Sequence, residues 1–144
     1  MDRLIRRTSI VAAALVMLGG VACSSSSSSS AGSDSGGVSA TEMDFSIQLS
    51  SSTGTAGPVT FNITNNGPST HEFVVIQTDD APDALPVKNG TVDEAGLTIV
   101  DENDAVPPNT TATLPVNLEA GSYVIICNVS GHYEAGMHTA FTVS

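Results

Sequence analysis

Gly121-Ser-Tyr-Val-Ile-Ile-Cys-Asn-Val-Ser-Gly-His-Tyr-Glu-Ala-Gly-Met137 is the stretch whose reading decides the rest of the chain. Its opening residues follow the two-residue period of a β-strand, with Tyr123, Ile125 and Cys127 on one face and Val124 and Ile126 on the other. Both faces are apolar, which predicts a central strand with Cys127 at its end, where core meets surface. Gly131 and Gly136 then give the following loop the backbone freedom to turn His132 and Met137 back toward one point. A thiolate, an imidazole and a thioether converging from one loop are soft and borderline donors, suited to copper far better than to a hard cation. His71, placed where a turn meets the apolar run Phe73-Val-Val-Ile76, is the candidate fourth ligand.

The rest of the chain reads as short strands. Met43, Phe45, Ile47 and Leu49 alternate with polar residues, and Val59, Phe61 and Ile63 do so again after the break at Gly57-Pro58. Asn65-Asn-Gly-Pro68 makes a turn ahead of His71. Ala112, Leu114, Val116 and Leu118 alternate once more, and Thr139–Val143 closes the chain. Short strands separated by Gly, Pro and Asn turns, with no amphipathic helix of useful length, predict an all-β sandwich.

Residues 79–104 are the least patterned. A short strand at Leu97–Val100 is expected there, and Asp101-Glu-Asn-Asp104 reads as a solvated acidic loop. It is no EF-hand, because Val106 occupies the required glycine and Ala112 the bidentate glutamate.

Ahead of these strands the composition changes. Arg3, Arg6 and Arg7, the apolar run Ile10–Leu18 and the small residues Gly19-Gly-Val-Ala22 form an export signal over residues 1–22, too short for a spanning helix of about 20 residues. Cys23 follows directly and resembles the acylated cysteine of bacterial lipoproteins; plain cleavage after Ala22, leaving a free thiol, is the alternative. Ser- and Gly-rich residues 23–39 then read as a flexible tether, and residues 40–144 as the domain. Only two cysteines exist. If Cys23 carries lipid, Cys127 has no disulfide partner, and metal ligation gives an exported chain a reason to keep it. The bland reading is a buried apolar cysteine.

Charge is lopsided. The chain carries a formal net charge of −11, and beyond the leader Lys88 is its only Lys or Arg. Such a surface repels nucleic acid and anionic lipid, and it steers basic partners at low salt.

Cys127-x4-His132-x4-Met137, the Gly-x-Tyr-x-Ile-x-Cys strand and His71 after its turn together resemble the type 1 (blue) copper site of the cupredoxins, over residues 40–144. The resemblance implies a Greek-key β-sandwich of about seven to eight strands. It implies one copper ion, cycling between Cu(I) and Cu(II), held by His71, Cys127 and His132 with Met137 as a weak axial ligand. It also implies single-electron transfer; with the export signal and Cys23, the expectation is a monomeric protein outside the cytoplasmic membrane, anchored only by lipid. A basic redox protein, such as a cytochrome or an oxidase subunit, is the expected partner. His132 is the expected electron exit. Glu72 stands where many cupredoxins place an asparagine that ties the ligand loops, so another group must supply that hydrogen bond. The step between His132 and Met137 is one residue longer than the azurin-type spacing.

Other readings have less support. Zinc accepts a Cys-His-His set, yet a thioether adds little to zinc. A thiol nucleophile at Cys127 lacks an oxyanion motif and an orienting acid, and it leaves Met137 without a role, so no enzyme is expected. Three histidines are too few for a multicopper enzyme. Copper delivery or storage is the rival function, although exposed Met and His clusters would suit it better than a closed site. His138, next to Met137 on a strand-like segment, is expected to be exposed and outside the ligand set.

Overall fold

Alternating apolar residues build two facing sheets in the computed structural model, which describes residues 37–144; the leader, Cys23 and the tether up to residue 36 lie outside the described residues. The described chain is all-β. Its strands are β1 (Gly37–Met43), β2 (Ser46–Leu49), β3 (Thr53–Gly54), β4 (Gly57–Asn65), β5 (His71–Gln77), β6 (Val87–Lys88), β7 (Thr91–Val92), β8 (Thr98–Val106), β9 (Thr111–Leu118), β10 (Gly121–Ile126) and β11 (His138–Val143). Three of these have only two residues; the eight longer strands, in line with the expected seven to eight, make the sandwich together with short β3 at one sheet edge. One sheet runs β2-β1-β4-β9 and the other β3-β11-β10-β5-β8, while β6 and β7 pair separately.

Central placement of β10 follows from its two apolar faces. It is hydrogen-bonded to β11 on one side and β5 on the other. Tyr123, Ile125 and Cys127 enter the core between the sheets, where Phe61 packs on Phe73 and Phe141 with ring centroids 5.3 and 5.4 Å apart. Val124 and Ile126 face outward onto Val74, Ile76, Leu85, Val92 and Tyr133. The poorly patterned middle of the chain thus has a packing role, supplying Leu85 and Val92 to cover the outer face of β10 and β5.

Three expectations about the elements are corrected. The run from Met43 to Leu49 is no single strand but the two arms of a hairpin, β1 and β2, joined by Asp44-Phe45 with Phe45 at φ 69°. Side-chain alternation continues numerically through such a two-residue turn, so periodicity alone does not expose it. The domain also begins earlier than Ala40. Gly37–Ser39 pair in parallel with β4, because Val38 and Ala40 both point into the core.

The third correction concerns Asp101-Glu-Asn-Asp104, which is strand and not loop. It belongs to β8, the edge strand beside β5, and two register shifts mark that pairing. An edge strand can be polar on its solvent side, and carboxylates there discourage pairing with another chain.

Candidate metal centre

Each expected ligand is delivered by an element with a local reason to be where it is. His71 opens β5 after the turn 65–70, and buried Asn65 fixes that turn. Its side-chain amide donates to the carbonyls of Ser69 (2.7 Å) and Val106 (2.8 Å), and its oxygen accepts the Gly67 N–H (2.8 Å). Val106 is the β8 residue opposite His71, with one register shift directly after it. Bulges of this kind re-aim side chains near functional sites.

Cys127 follows directly on β10, and the loop that it opens closes on itself. The Cys127 N–H donates to the Met137 carbonyl (3.0 Å), the Met137 N–H to the His132 carbonyl (3.0 Å), and the His132 N–H to the Val129 carbonyl (2.9 Å). Gly131 and Gly136 take φ values of 81° and 117°, the left-handed region that a side chain disfavours. A Cβ on Gly136 would also come within 3.2 Å of the Phe45 carbonyl, so this loop lies against the β1–β2 turn.

The donor atoms converge. His71 Nδ1 and His132 Nδ1 are 3.2 Å apart, and Cys127 Sγ is 3.7 Å from the first and 3.5 Å from the second. A triangle of these sides has its centre about 2.0 Å from every corner, close to a metal–imidazole bond length and slightly under a metal–thiolate one. Met137 is fully buried in the same cluster as Cys127. Two imidazole nitrogens and one thiolate sulfur that converge, with a buried thioether in the same cluster, form a donor set that either copper oxidation state would accept, so the residues present fit that metal. Glu134, the one carboxylate within the loop, is exposed and stands apart from the cluster.

Electrostatics at the site follow from burial. His71 is held below the ordinary histidine pKa, first by burial and then by repulsion from His132, with Asp44 opposing both. It is therefore the neutral ligand that a metal requires. Burial pushes the Cys127 thiol up to about 11; the backbone N–H groups of Glu72 and Val129 oppose this, and the Glu42 and Glu72 carboxylates add to it. A metal has to displace that thiol proton, after which the Glu72 N–H, 3.4 Å from Sγ, supports the thiolate. This contact also links the two ligand segments, a link that the Glu72 side chain does not make.

Several residues that shape the site went unread in the sequence. Asp44 Oδ1 lies 3.3 Å from His71 Nε2, a close electrostatic contact without an aligned hydrogen bond, while Asp44 Oδ2 accepts from Ser69 Oγ at 2.9 Å. A proton on Nε2 beside this carboxylate leaves Nδ1 free for the metal. Tyr133, adjacent to His132, donates its hydroxyl to the Pro82 carbonyl (2.8 Å) and accepts the Leu85 N–H (2.9 Å). Asn128 accepts the Val92 N–H (2.6 Å) and donates to Glu94 (2.7 Å). The turn signature at Asn65-Asn-Gly-Pro68 was the only one of these signals visible beforehand.

His132 is half-buried, the one member of the set at the surface, with exposed Phe45 edge-on to its ring at 5.7 Å. His138 stays outside the donor cluster, but it is partly covered rather than exposed, its ring 5.2 Å from that of Tyr133.

Comparison with known proteins agrees with this geometry. The sulfocyanin (SoxE) domain family matches residues 14–144. A search of curated proteins gives no match. Among solved structures, the chain is similar to dithionite-reduced auracyanin from the photosynthetic bacterium Roseiflexus castenholzii, at 18% identity over 75% of this chain and 96% of that one, TM-score 0.56. An azurin, Az-iso2 of Methylomonas sp. strain J, gives 14% identity over 76% and 98% of the two chains, TM-score 0.57. Rusticyanin from Thiobacillus ferrooxidans gives 22% identity over 75% and 76%, TM-score 0.55. At such identities the structural likeness establishes the fold. The domain match spans nearly the whole sequence, and by it the chain belongs to the sulfocyanin (SoxE) family: it is a cupredoxin, a type 1 blue copper protein with one copper ion as its cofactor.

Proposed function

We propose that this protein carries single electrons outside the cytoplasmic membrane, and that His71, Cys127, His132 and Met137 would hold the copper ion that supplies the one-electron couple. The observation that carries this reading is the metal-sized triangle of Nδ1, Nδ1 and Sγ. The chain supplies rigidity. The backbone hydrogen bonds of the 127–137 loop and the Asn65 clamp hold the donors in place, so little has to rearrange when the charge changes. His132, half-buried beside exposed Phe45, provides the short route to a docked partner. A closed, buried donor set suits a carrier rather than an enzyme.

In the same reading residues 1–22 are the export signal, Cys23 carries lipid, and the serine-rich segment tethers a monomeric domain, 37–144, to the extracytoplasmic face of the membrane. The redox partner is basic. Supporting this, Glu72, Glu94, Asp101, Glu102 and Asp104 lie near enough to one another that Glu72 and Glu102 are held above the ordinary carboxylate range, by burial first and by these neighbours next.

The test is the visible spectrum of the copper-loaded protein. Intense thiolate-to-Cu(II) absorption toward the red, lost in Cys127→Ser while the fold remains, is the expected result. A colourless protein that yields Cu(I) to a chelator within seconds would point to copper delivery instead.

A further inference from the structure

Three polar side chains are fully buried among the described residues: Asn65, His71 and Glu42. Asn65 is hydrogen-bonded and His71 belongs to the metal set, which leaves Glu42 without a role. Neither of its carboxyl oxygens has a hydrogen-bond partner. Glu42 points inward from β1 in step with Val38 and Ala40, one residue pair before the Asp44-Phe45 turn that touches His71 and His132. Its own backbone carbonyl accepts the Asn66 N–H at 2.8 Å, which fixes that part of β1 against the turn leading to His71.

The surroundings of Glu42 hold no compensating cation. Its pairing neighbours β2 and β4 bring no titratable side chain, and neither does β9 beyond them. From the facing sheet the titratable groups at this end are His71 and Glu72 on β5, Cys127 after β10, exposed Glu102 and Asp104 on β8 and His138 on β11, while the ligand loop adds His132 and the turn adds Asp44. Tyr123, the other titratable group on that face of β10, donates its hydroxyl to Glu119 at the opposite end. Lys88, the one Lys or Arg among the described residues, stands exposed on β6 near Asp93. An ionised carboxylate in such a place is costly, so the metal-free fold holds Glu42 as the neutral acid. Burial alone pushes its pKa up to about 8. Cys127 senses this carboxyl, whose charge helps to raise the thiol.

We propose that Glu42 is the proton site of a proton-coupled electron transfer: it takes one proton from solvent as the copper centre gains one electron from its donor, and it returns that proton as the electron leaves. The oxidised centre carries one more positive charge, which favours the Glu42 carboxylate; reduction removes that charge and favours the acid. Electron and proton together leave the charge of the buried pocket unchanged. The proposal rests on His71, Cys127, His132 and Met137 holding the metal, and its test separates the two claims.

The first measurement is an infrared pH titration of the metal-free protein. A protonated-carboxyl stretch present at neutral pH, absent in Glu42→Gln and titrating near pH 8, is the expected result; no such band means that Glu42 is ionised and overturns the proposal whatever the metal does. The second is the reduction potential of the copper-loaded protein against pH. The wild type is expected to lose a factor approaching ten in its preference for Cu(I) per pH unit across a window, about 59 mV for one electron. Glu42→Gln, an uncharged isostere of the acid, is expected to remain flat at the wild-type low-pH value. A flat wild-type profile, or an equal slope in Glu42→Gln, overturns the coupling. A missing blue band in both proteins identifies failure of the copper assignment instead.

Discussion

Asp44 and Gly67 illustrate how narrowly single residues set the environment of a ligand. A Cβ on Gly67 would come within 2.7 Å of Asp44 Oδ1 and 3.0 Å of His71 Nε2, so glycine is what lets the carboxylate and the imidazole meet. A negative charge beside a ligand imidazole favours the more positive oxidation state. Asp44→Asn is therefore expected to raise the reduction potential by roughly 30–60 mV, a three- to tenfold shift toward Cu(I), with the blue colour kept; voltammetry checks it, and an unchanged or lowered potential would contradict it. Glu42 governs stability rather than ligand geometry. Its pKa rises from 4.5 to about 8 on folding, so the folded chain holds that proton more tightly than the unfolded one. Its contribution is complete below about pH 4.5 and is lost as the pH climbs to about 8, at most about 5 kcal/mol. Urea unfolding of the metal-free protein at about pH 5 and about pH 9 should show this loss, and Glu42→Gln should remove most of it. Residue identity was legible in the sequence for the four sulfur and imidazole donors, because their types and spacing are chemically unusual. Asp44 and Glu42 were not, since one acid among fifteen carries no mark of the distant residue it will face.

At the scale of elements, the ligand loop is braced by a segment with almost no pattern of its own. The β6–β7 hairpin reaches it twice, through the Gly131 N–H to the Gly90 carbonyl (2.7 Å) and through the Asn128 side chain to Val92 and Glu94. Asn128→Ala leaves the Val92 N–H without its acceptor and should cost about 1–3 kcal/mol. Hydrogen exchange at Val92 should accelerate accordingly; unchanged exchange would mean that the brace lies elsewhere. Strands that alternate cleanly, β4 at Val59–Ile63 and β9 at Ala112–Leu118, were readable because one face is core and the other is water. The β1–β2 turn was not, since Phe45 adopts a positive φ with no glycine to announce it. Acidic β8 was also missed, because polarity signals a loop wherever a strand's outer face and edge both meet solvent.

The described residues form a sandwich whose one end holds the donor set and whose charged side chains are acidic apart from Lys88 and the histidines. Sequence composition disclosed that charge at once, and the likeness of the strand-and-loop pattern disclosed the architecture, but the parallel β1–β4 pairing needed coordinates because Gly37–Ser39 read as linker. Electron transfer to a basic c-type cytochrome should slow as ionic strength rises through the range where the Debye length falls from about 30 Å to about 10 Å. A rate indifferent to salt would remove charge steering from the proposed partnership. The central claim, a trigonal centre of two imidazoles and the Cys127 thiolate, is tested most directly by electron paramagnetic resonance of the Cu(II)-loaded protein beside Cys127→Ser. The expected result is a narrow copper hyperfine splitting in the wild type and its replacement by a wide one in the variant. A wide, square-planar-type splitting in the wild type itself would contradict the assignment.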